Sequence, residues 1–430
     1  MVERTEYLER LMTWKDEKVI KVVTGICRCG KSTLLSQFQK ALLTQGVSKE
    51  QIISINLEDL RYEELLDYRK LNNYITERLC EGKTTYIFLD EIQKVESFEK
   101  VVDSLYITDN TDIYITGSNA YMLSGDLATL LTGRYVEISM LPLSFREYCE
   151  MTGAAADGAF AEYMKYGGMP YVAAMERTDE KVDTYLEGIY NTVIVKDIED
   201  RQSRKETDPS KRRITDITLL KAIARFLAGS VGSPISVRSI TDYLVSGGRK
   251  VSQNTVNDYL EALTEAFIFY PVDRFDITGK QLLKTNRKYY MVDLGLRNHI
   301  LPRKSYDIGF SVENIVYFEL LRRGYRVNVG KSGNAEVDFV AEKQGVIYYW
   351  QVTADMTSES TFEREMRPLR SIADNYSKTV LTLDRFSAGN YEGIQVVNVI
   401  DWLSESYPLL FTGELQTKPA YDAVIATAGK

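Results

Sequence analysis

The most constraining stretch of this sequence lies near its start. Val19-Ile20-Lys21-Val22-Val23-Thr24 is a nearly unbroken run of β-branched residues, the mark of a strand buried on both faces. It leads into Gly25-Ile26-Cys27-Arg28-Cys29-Gly30-Lys31-Ser32, after which Thr33-Leu34-Leu35-Ser36-Gln37-Phe38 reads as a helix. GxxxxGK[ST] between a strand and a helix is a phosphate-cradling loop. Gly25 and Gly30 permit backbone conformations and close approaches that a Cβ would block. The loop amides and the helix N-terminus then face the phosphates. Lys31 can reach the β and γ phosphates, Ser32 can offer its hydroxyl to Mg2+, and Thr33 continues the nucleotide-binding run.

A second apolar run, Thr85-Tyr86-Ile87-Phe88-Leu89, ends in Asp90 and Glu91. This is a Walker B pattern: Asp90 is placed to hold Mg2+ through water, and Glu91 to polarise an attacking water. Gln51–Leu57 and Asp112–Asn119 read as further strands of a parallel α/β sheet. Ser118 or, in preference, Asn119 ends the latter as a γ-phosphate sensor or water-orienting group. Arg134 is an arginine-finger candidate, acting in its own chain or on a neighbouring subunit; pairing with an acid is the alternative. No NKxD guanine motif occurs, which favours ATP over GTP.

Composition removes other classes. The 430 residues carry a net charge of −8 and predict two to four domains. No apolar run approaches a membrane span, and the charged N-terminus lacks a signal-peptide core, so a cytoplasmic protein without membrane contact is expected. The single histidine, His299, lies far from any nucleophile signature, which argues against Ser–His or Cys–His catalysis. The 4 cysteines are too few for a disulfide scaffold. Residues 201–300 hold 17 Lys and Arg against 10 Asp and Glu, a basic segment inside an acidic chain. Such a segment suggests a polyanion surface, although the run 201–213 also suits a solvated linker.

The loop GICRCGKSTLL, the strand end FLDEIQ, ITGSN, TGRYVEISMLPLSFREY and YGGMP together resemble one family, the bacterial and archaeal predicted AAA+ superfamily ATPases. The resemblance continues through YNTVIVKDI, NTVNDYL, KYYMVDLGLRN and EVDF, nearly the whole chain. It implies ATP with Mg2+, with the family's roles falling on Lys31, Ser32, Asp90 and Glu91. The family's phosphate loop often has two adjacent arginines. Arg28 matches the second, as a nucleotide-binding residue, while Cys27 replaces the first.

Beyond residue 216, a helix, a short helix, a turn, a helix opened by Ser252 and a hairpin follow in winged helix-turn-helix order. Gln253, Asn254 and Asn257 would then face DNA bases, and Arg249, Lys250, Lys280, Lys284, Arg287 and Lys288 phosphates. Carboxylates on the same helix leave a protein partner open. Further on, an amphipathic helix from Glu313 and three strands resemble the PD-(D/E)xK nuclease fold. Glu313 and Asp338 match its acids and Gln351 a third position, but Thr353 stands where that fold expects lysine. A hydroxyl cannot supply that charge, so a binding platform is expected in preference to a nuclease.

The sequence thus predicts a P-loop ATPase core over 1–150, a helical lid and linker over 151–210, a winged helix over 211–305, a nuclease-like domain over 306–411 and a tail over 412–430. The expected function is Mg2+-dependent ATP hydrolysis coupled to double-stranded DNA, a protein partner or a homo-oligomer. Two alternatives stand beside it: an ATP-gated DNA-binding or regulatory protein with negligible turnover, and a Mg2+- or Mn2+-dependent nuclease.

Overall fold

The computed structural model describes residues 2–117, 133–193, 216–301, 308–333 and 335–405. Ser118, Asn119, the basic run 201–213 and the tail 412–430 lie outside these, as does the side chain of Lys284. Among the described residues no helix is long and apolar enough to cross a membrane.

The N-terminal part is a five-stranded, wholly parallel sheet built from β1 (Ile20–Thr24), β2 (Ile52–Asn56), β3 (Thr85–Asp90), β4 (Thr111–Gly117) and β5 (Tyr135–Ser139). Their order is β2-β3-β4-β1-β5, so β4 separates the strand that enters the glycine loop from the strand that ends in Asp90. Strand periodicity explains why the sheet is covered twice. Val23, Phe88 and Tyr114 point into one apolar cluster with Leu34, Leu35 and Phe38 of the helix Lys31–Thr44. Their strand neighbours Val22, Ile87 and Ile113 point into a second, closed by Leu71, Ile75, Val101 and Leu105 of the helices Tyr68–Thr76 and Phe98–Ile107.

The first cluster does not stop at this sheet. It continues through the helices Phe145–Thr152, Ala156–Tyr166, Pro170–Ala174 and Asp179–Asn191 into the C-terminal half. There the helices Ile217–Gly229, Val237–Ser246 and Gln253–Glu265 precede the hairpin β6 (Phe269–Asp276) and β7 (Gln281–Met291). Next come the helices Leu294–Ile300 and Ile308–Arg322, then β8 (Arg326–Ser332), β9 (Ala335–Lys343), β10 (Val346–Thr353), β11 (Ser377–Thr382), β12 (Gly389–Tyr391) and β13 (Ile394–Asn398). These eight strands form one mixed sheet in the order β12-β13-β11-β10-β9-β8-β6-β7. The hairpin is therefore not a free wing: β6 pairs with β8 in parallel, from Arg274 with Val329 to Asp276 with Lys331. A division near residue 305 cuts the chain but not the sheet.

The helix expected from Glu313 begins earlier, at Ile308, and it is not amphipathic in the fold. Ser311 through Leu320 are all buried, Glu313, Asn314 and Glu319 included. It lies against β8, β9 and β10 on one side and reaches the N-terminal part on the other, so it has no solvent face.

Candidate functional site

β1 ends at Thr24 and the chain turns at once into the glycine loop. Gly25 has φ 143°, and a Cβ there would lie 2.1 Å from the carbonyl oxygen of Met140, so only glycine fits. Gly30, at φ 107°, caps the helix that starts with Lys31. Lys31 is buried and donates to the carbonyls of Gly25 at 3.0 Å and Ile26 at 3.3 Å. Arg28 and Ser32 are exposed, and Gly30 and Thr33 partly so, which leaves this end of the sheet open to solvent.

Asp90 closes β3 and is buried. Its Oδ1 accepts from Thr116 Oγ1 at 2.5 Å and its Oδ2 from Asn56 Nδ2 at 3.0 Å. Burial pushes its carboxyl above the ordinary range, against hydrogen bonds from Thr116 and Ser32. Glu91, with φ 55°, donates its amide to Thr116 Oγ1 at 2.9 Å, and its carboxylate accepts from Gln93 Nε2. Thr116 thus ties both acids to β4. The Ser32 hydroxyl beside the Asp90 carboxylate is an oxygen donor pair of the kind Mg2+ takes. Thr116 and Asn56 were not singled out from the sequence; a polar residue ending an apolar strand was the available signal for each.

Two buried arginines brace the loop from behind, and neither stands out in the sequence. Arg4 donates to the carbonyls of Cys29 at 3.2 Å and Leu141 at 2.8 Å and pairs with Glu147 at 2.8 Å. Arg322, from the C-terminal half, donates to the carbonyl of Pro142 at 2.9 Å. The segment 140–143 that touches Gly25 is therefore held from both ends of the chain. The Gly-Gly of YGGMP serves the same junction. Asp293 Oδ2 accepts from the Gly168 amide at 2.6 Å, and a Cβ on Gly167 would lie 2.3 Å from Asp293 Oδ1.

Other expected residues are placed elsewhere. Arg134 precedes β5, at the end of the sheet where β1 begins: its carbonyl accepts from the Ile20 amide at 2.8 Å. That level is roughly 15–20 Å from the glycine loop at about 3.3 Å per strand residue. Its side chain pairs with Asp103 at 2.5 Å. The fold does not bring it to the loop of its own chain. His299 bonds Asp183 at 2.7 Å, outside the cleft. The cysteines are all free thiols.

In the middle segment Gln253, Asn254, Asn257 and Lys250 are exposed, and Arg249 is half-buried beside Asp216 at 3.3 Å. Asn257 donates to Glu261 at 2.9 Å, within its own helix. Lys288 is a correction. Expected to face phosphates, it is 2% exposed and points into the C-terminal half, because it shares a strand face with the buried Tyr290. Its Nζ lies 2.9 Å from Glu313, 2.8 Å from Glu336 and 3.8 Å from Asp338. Gln351 belongs to the same cluster: its Oε1 accepts from the Asp338 amide at 3.3 Å and its Nε2 donates to Glu365 at 2.9 Å. Thr353 instead donates to the Asp355 carbonyl at 3.1 Å. The residues expected as a metal-dependent nuclease site are thus brought together, but around an ammonium. They do not fit a divalent ion, because Lys288 already stands among the carboxylates that would hold it.

Residues 17–149 match the model of an AAA domain, and residues 157–307 that of a domain of unknown function. The chain is 40% identical over 410 residues to an uncharacterized protein of Haemophilus influenzae, covering 94% of this chain and 98% of that one. It is 28% identical over 407 residues to an uncharacterized protein of Methanocaldococcus jannaschii, covering 89% and 85%. Among solved structures it resembles the Walker-type ATPase of Pyrococcus abyssi, with a TM-score of 0.45 and 16% identity over 70% of this chain and 96% of that one.

Proposed function

The chain belongs to one family with its uncharacterized Haemophilus influenzae relative, and from the AAA-domain match of residues 17–149 we propose that it binds ATP with Mg2+ at the 25–33 loop and hydrolyses it. One observation carries this reading: the loop that holds Lys31 and the Asp90–Glu91 strand end meet across Ser32 and Thr116. The loop amides, Lys31, Arg28 and Thr33 bind the phosphates. Ser32 and Asp90 hold Mg2+, which neutralises phosphate charge when bound. Glu91 takes the proton of the attacking water, and Thr116 and Gln93 fix where its carboxylate sits. Asn119 orients the γ-phosphate side. Arg134, too far from its own loop, serves a neighbouring subunit.

Calorimetric titration with ATP and Mg2+, together with phosphate release, tests this. Lys31→Ala should weaken binding about 100-fold and abolish turnover, and Glu91→Gln should keep binding while losing turnover. Unchanged heat with Lys31→Ala would sink the reading. If Glu91→Gln turns over ATP as the wild type does, water activation lies elsewhere. If the wild type binds but does not turn over, a nucleotide-gated regulator is the better description.

The output we assign to the C-terminal half is binding, to double-stranded DNA first. The supporting observation is the exposed row Gln253, Asn254 and Asn257, on the third helix before a hairpin in winged-helix order, with Lys250 beside it. Duplex affinity should fall steeply between 50 and 200 mM salt if several phosphates are contacted, as order-of-magnitude counterion release requires. A salt-insensitive interaction, or none at low salt, would leave a protein partner as the reading of this face.

A further inference from the structure

The carboxylates that resemble a nuclease centre already have a cation, and the chain supplies it. Lys288 reaches them from β7, a strand outside the helix and strands that carry Glu313, Glu336 and Asp338. The acids have further partners, at the same oxygen in Glu313 and at the other oxygen in Asp338. Tyr290 donates its hydroxyl to Glu313 Oε1 at 2.6 Å, and Asp338 Oδ2 accepts from the Val352 amide at 2.8 Å. Burial disfavours the charge on Lys288, but Glu313, Asp338 and Glu336 outweigh it and hold the ammonium protonated above its ordinary range. A protonated amine cannot accept a proton from water.

Access is restricted too. Lys288, Glu313, Asp338 and Gln351 are each at most 9% exposed, and Glu336 is the acid of the cluster that reaches solvent, with a side chain 33% exposed. The turn that follows the helix Ile217–Gly229 lies over Glu313. A Cβ on Gly232 would stand 2.7 Å from Phe310 and 3.0 Å from Glu313 Oε2. The turn roofs Glu313 against a phosphodiester from this side. The same strand is fixed a second time by Asn314, whose side chain accepts from the Met291 amide and donates to the Met291 carbonyl, both at 2.9 Å.

We propose that Lys288 permanently takes the place of the divalent cation, so that the acids of this module form an electrostatic clamp instead of a cleavage site. The clamp fixes the β6–β7 hairpin to the C-terminal sheet. The three helices before the hairpin and the strands after it then form one rigid body, which any nucleotide-driven motion of the N-terminal sheet must move as a unit. That last consequence rests on the ATPase reading; the clamp itself does not, and it is tested without nucleotide.

The full-length protein is titrated with Mn2+ alone, followed by electron paramagnetic resonance, and incubated with supercoiled plasmid. The wild type should nick no plasmid, and its Mn2+ binding should be the same as that of Asp338→Asn, which subtracts any weak ion at the phosphate loop. Lys288→Ala should gain a Mn2+ site at least tenfold tighter than any in the wild type, lost again in the Lys288→Ala, Asp338→Asn double variant. In Lys288→Ala, the amides of β7 and of the helix Ile308–Arg322 should lose exchange protection together. Wild-type nicking or Mn2+ binding that Asp338→Asn removes would overturn the proposal, and so would a folded Lys288→Ala chain with no new site. If Lys288→Ala does not fold, the wild-type and Asp338→Asn arms still decide. None of these readouts depends on ATP, so failure here leaves the phosphate-loop reading to its own test.

Discussion

Two groupings in this molecule use the same side chains to opposite ends. At the phosphate loop, Lys31 leans on the neutral carbonyls of Gly25 and Ile26, and the acids Asp90 and Glu91 are steadied by Thr116, Asn56 and Gln93. In the C-terminal sheet, Lys288 is held by carboxylates directly. A phosphate can outcompete a carbonyl for an ammonium, because a charged acceptor makes the stronger bond. It cannot easily displace two carboxylates at under 3 Å in a buried site. The first arrangement is poised for a ligand and the second is already satisfied. Residue type alone does not separate them; the neighbours and the solvent access do.

The sharpest way to break this contrast is Glu91→Gln. Turnover should fall about 10²–10⁴-fold while ATP still binds, as measured by phosphate release beside calorimetry. An unchanged rate would mean that Glu91, like Glu313, is structural. Lys288→Ala should destabilise the protein by about 3–5 kcal/mol, because it leaves buried carboxylates uncompensated. Denaturant unfolding measures this, and a loss below about 1 kcal/mol would show that the cluster is looser than the contacts imply. Lys31→Ala should weaken ATP roughly 100-fold, near 2.8 kcal/mol, as calorimetric titration measures.

The effect confined to a narrow pH window concerns Asp293, a buried carboxyl held by backbone amides and not by an ammonium. Burial raises its pKa to about 6, against the Leu296, Gly168 and Gly295 amides. The folded state therefore binds this proton more tightly than the unfolded chain does. The contribution favours the fold at low pH and is lost as pH rises from about 4 to about 6. Asp293→Asn should flatten the dependence of unfolding stability on pH across that window, by about 3 kcal/mol at most. A slope identical to wild type would assign the dependence to other buried acids.

Much of the proposed nucleotide site was legible because its parts are contiguous. The strand, the loop and the start of the helix occupy residues 19–38, and their chemistry depends on amides and side chains a few bonds apart. Asp90 and Glu91 were legible for the same reason, as the end of an apolar strand. Thr116 was passed over for Ser118 and Asn119, which follow it in sequence, because the sequence does not say which residue of ITGSN faces Asp90. Arg4 and Arg322 left no local signal at all. Each acts on the carbonyls of residues 141–143, more than 130 positions away in the chain.

Lys288 shows the limit most clearly. Its place in a basic segment suggested a solvent-facing phosphate contact, and the hairpin suggested a free wing. The alternation of β7 does put Lys288 on the face of Tyr290, but only the pairing of β6 with β8 decides that this face is interior. The sequence by itself determined the phosphate loop, the strand-end acids and the order of helices and strands, since these follow from short-range periodicity and backbone chemistry. The tertiary structure decided which charges meet. An ion pair depends on distance and on water being excluded, and both are set by how remote segments pack.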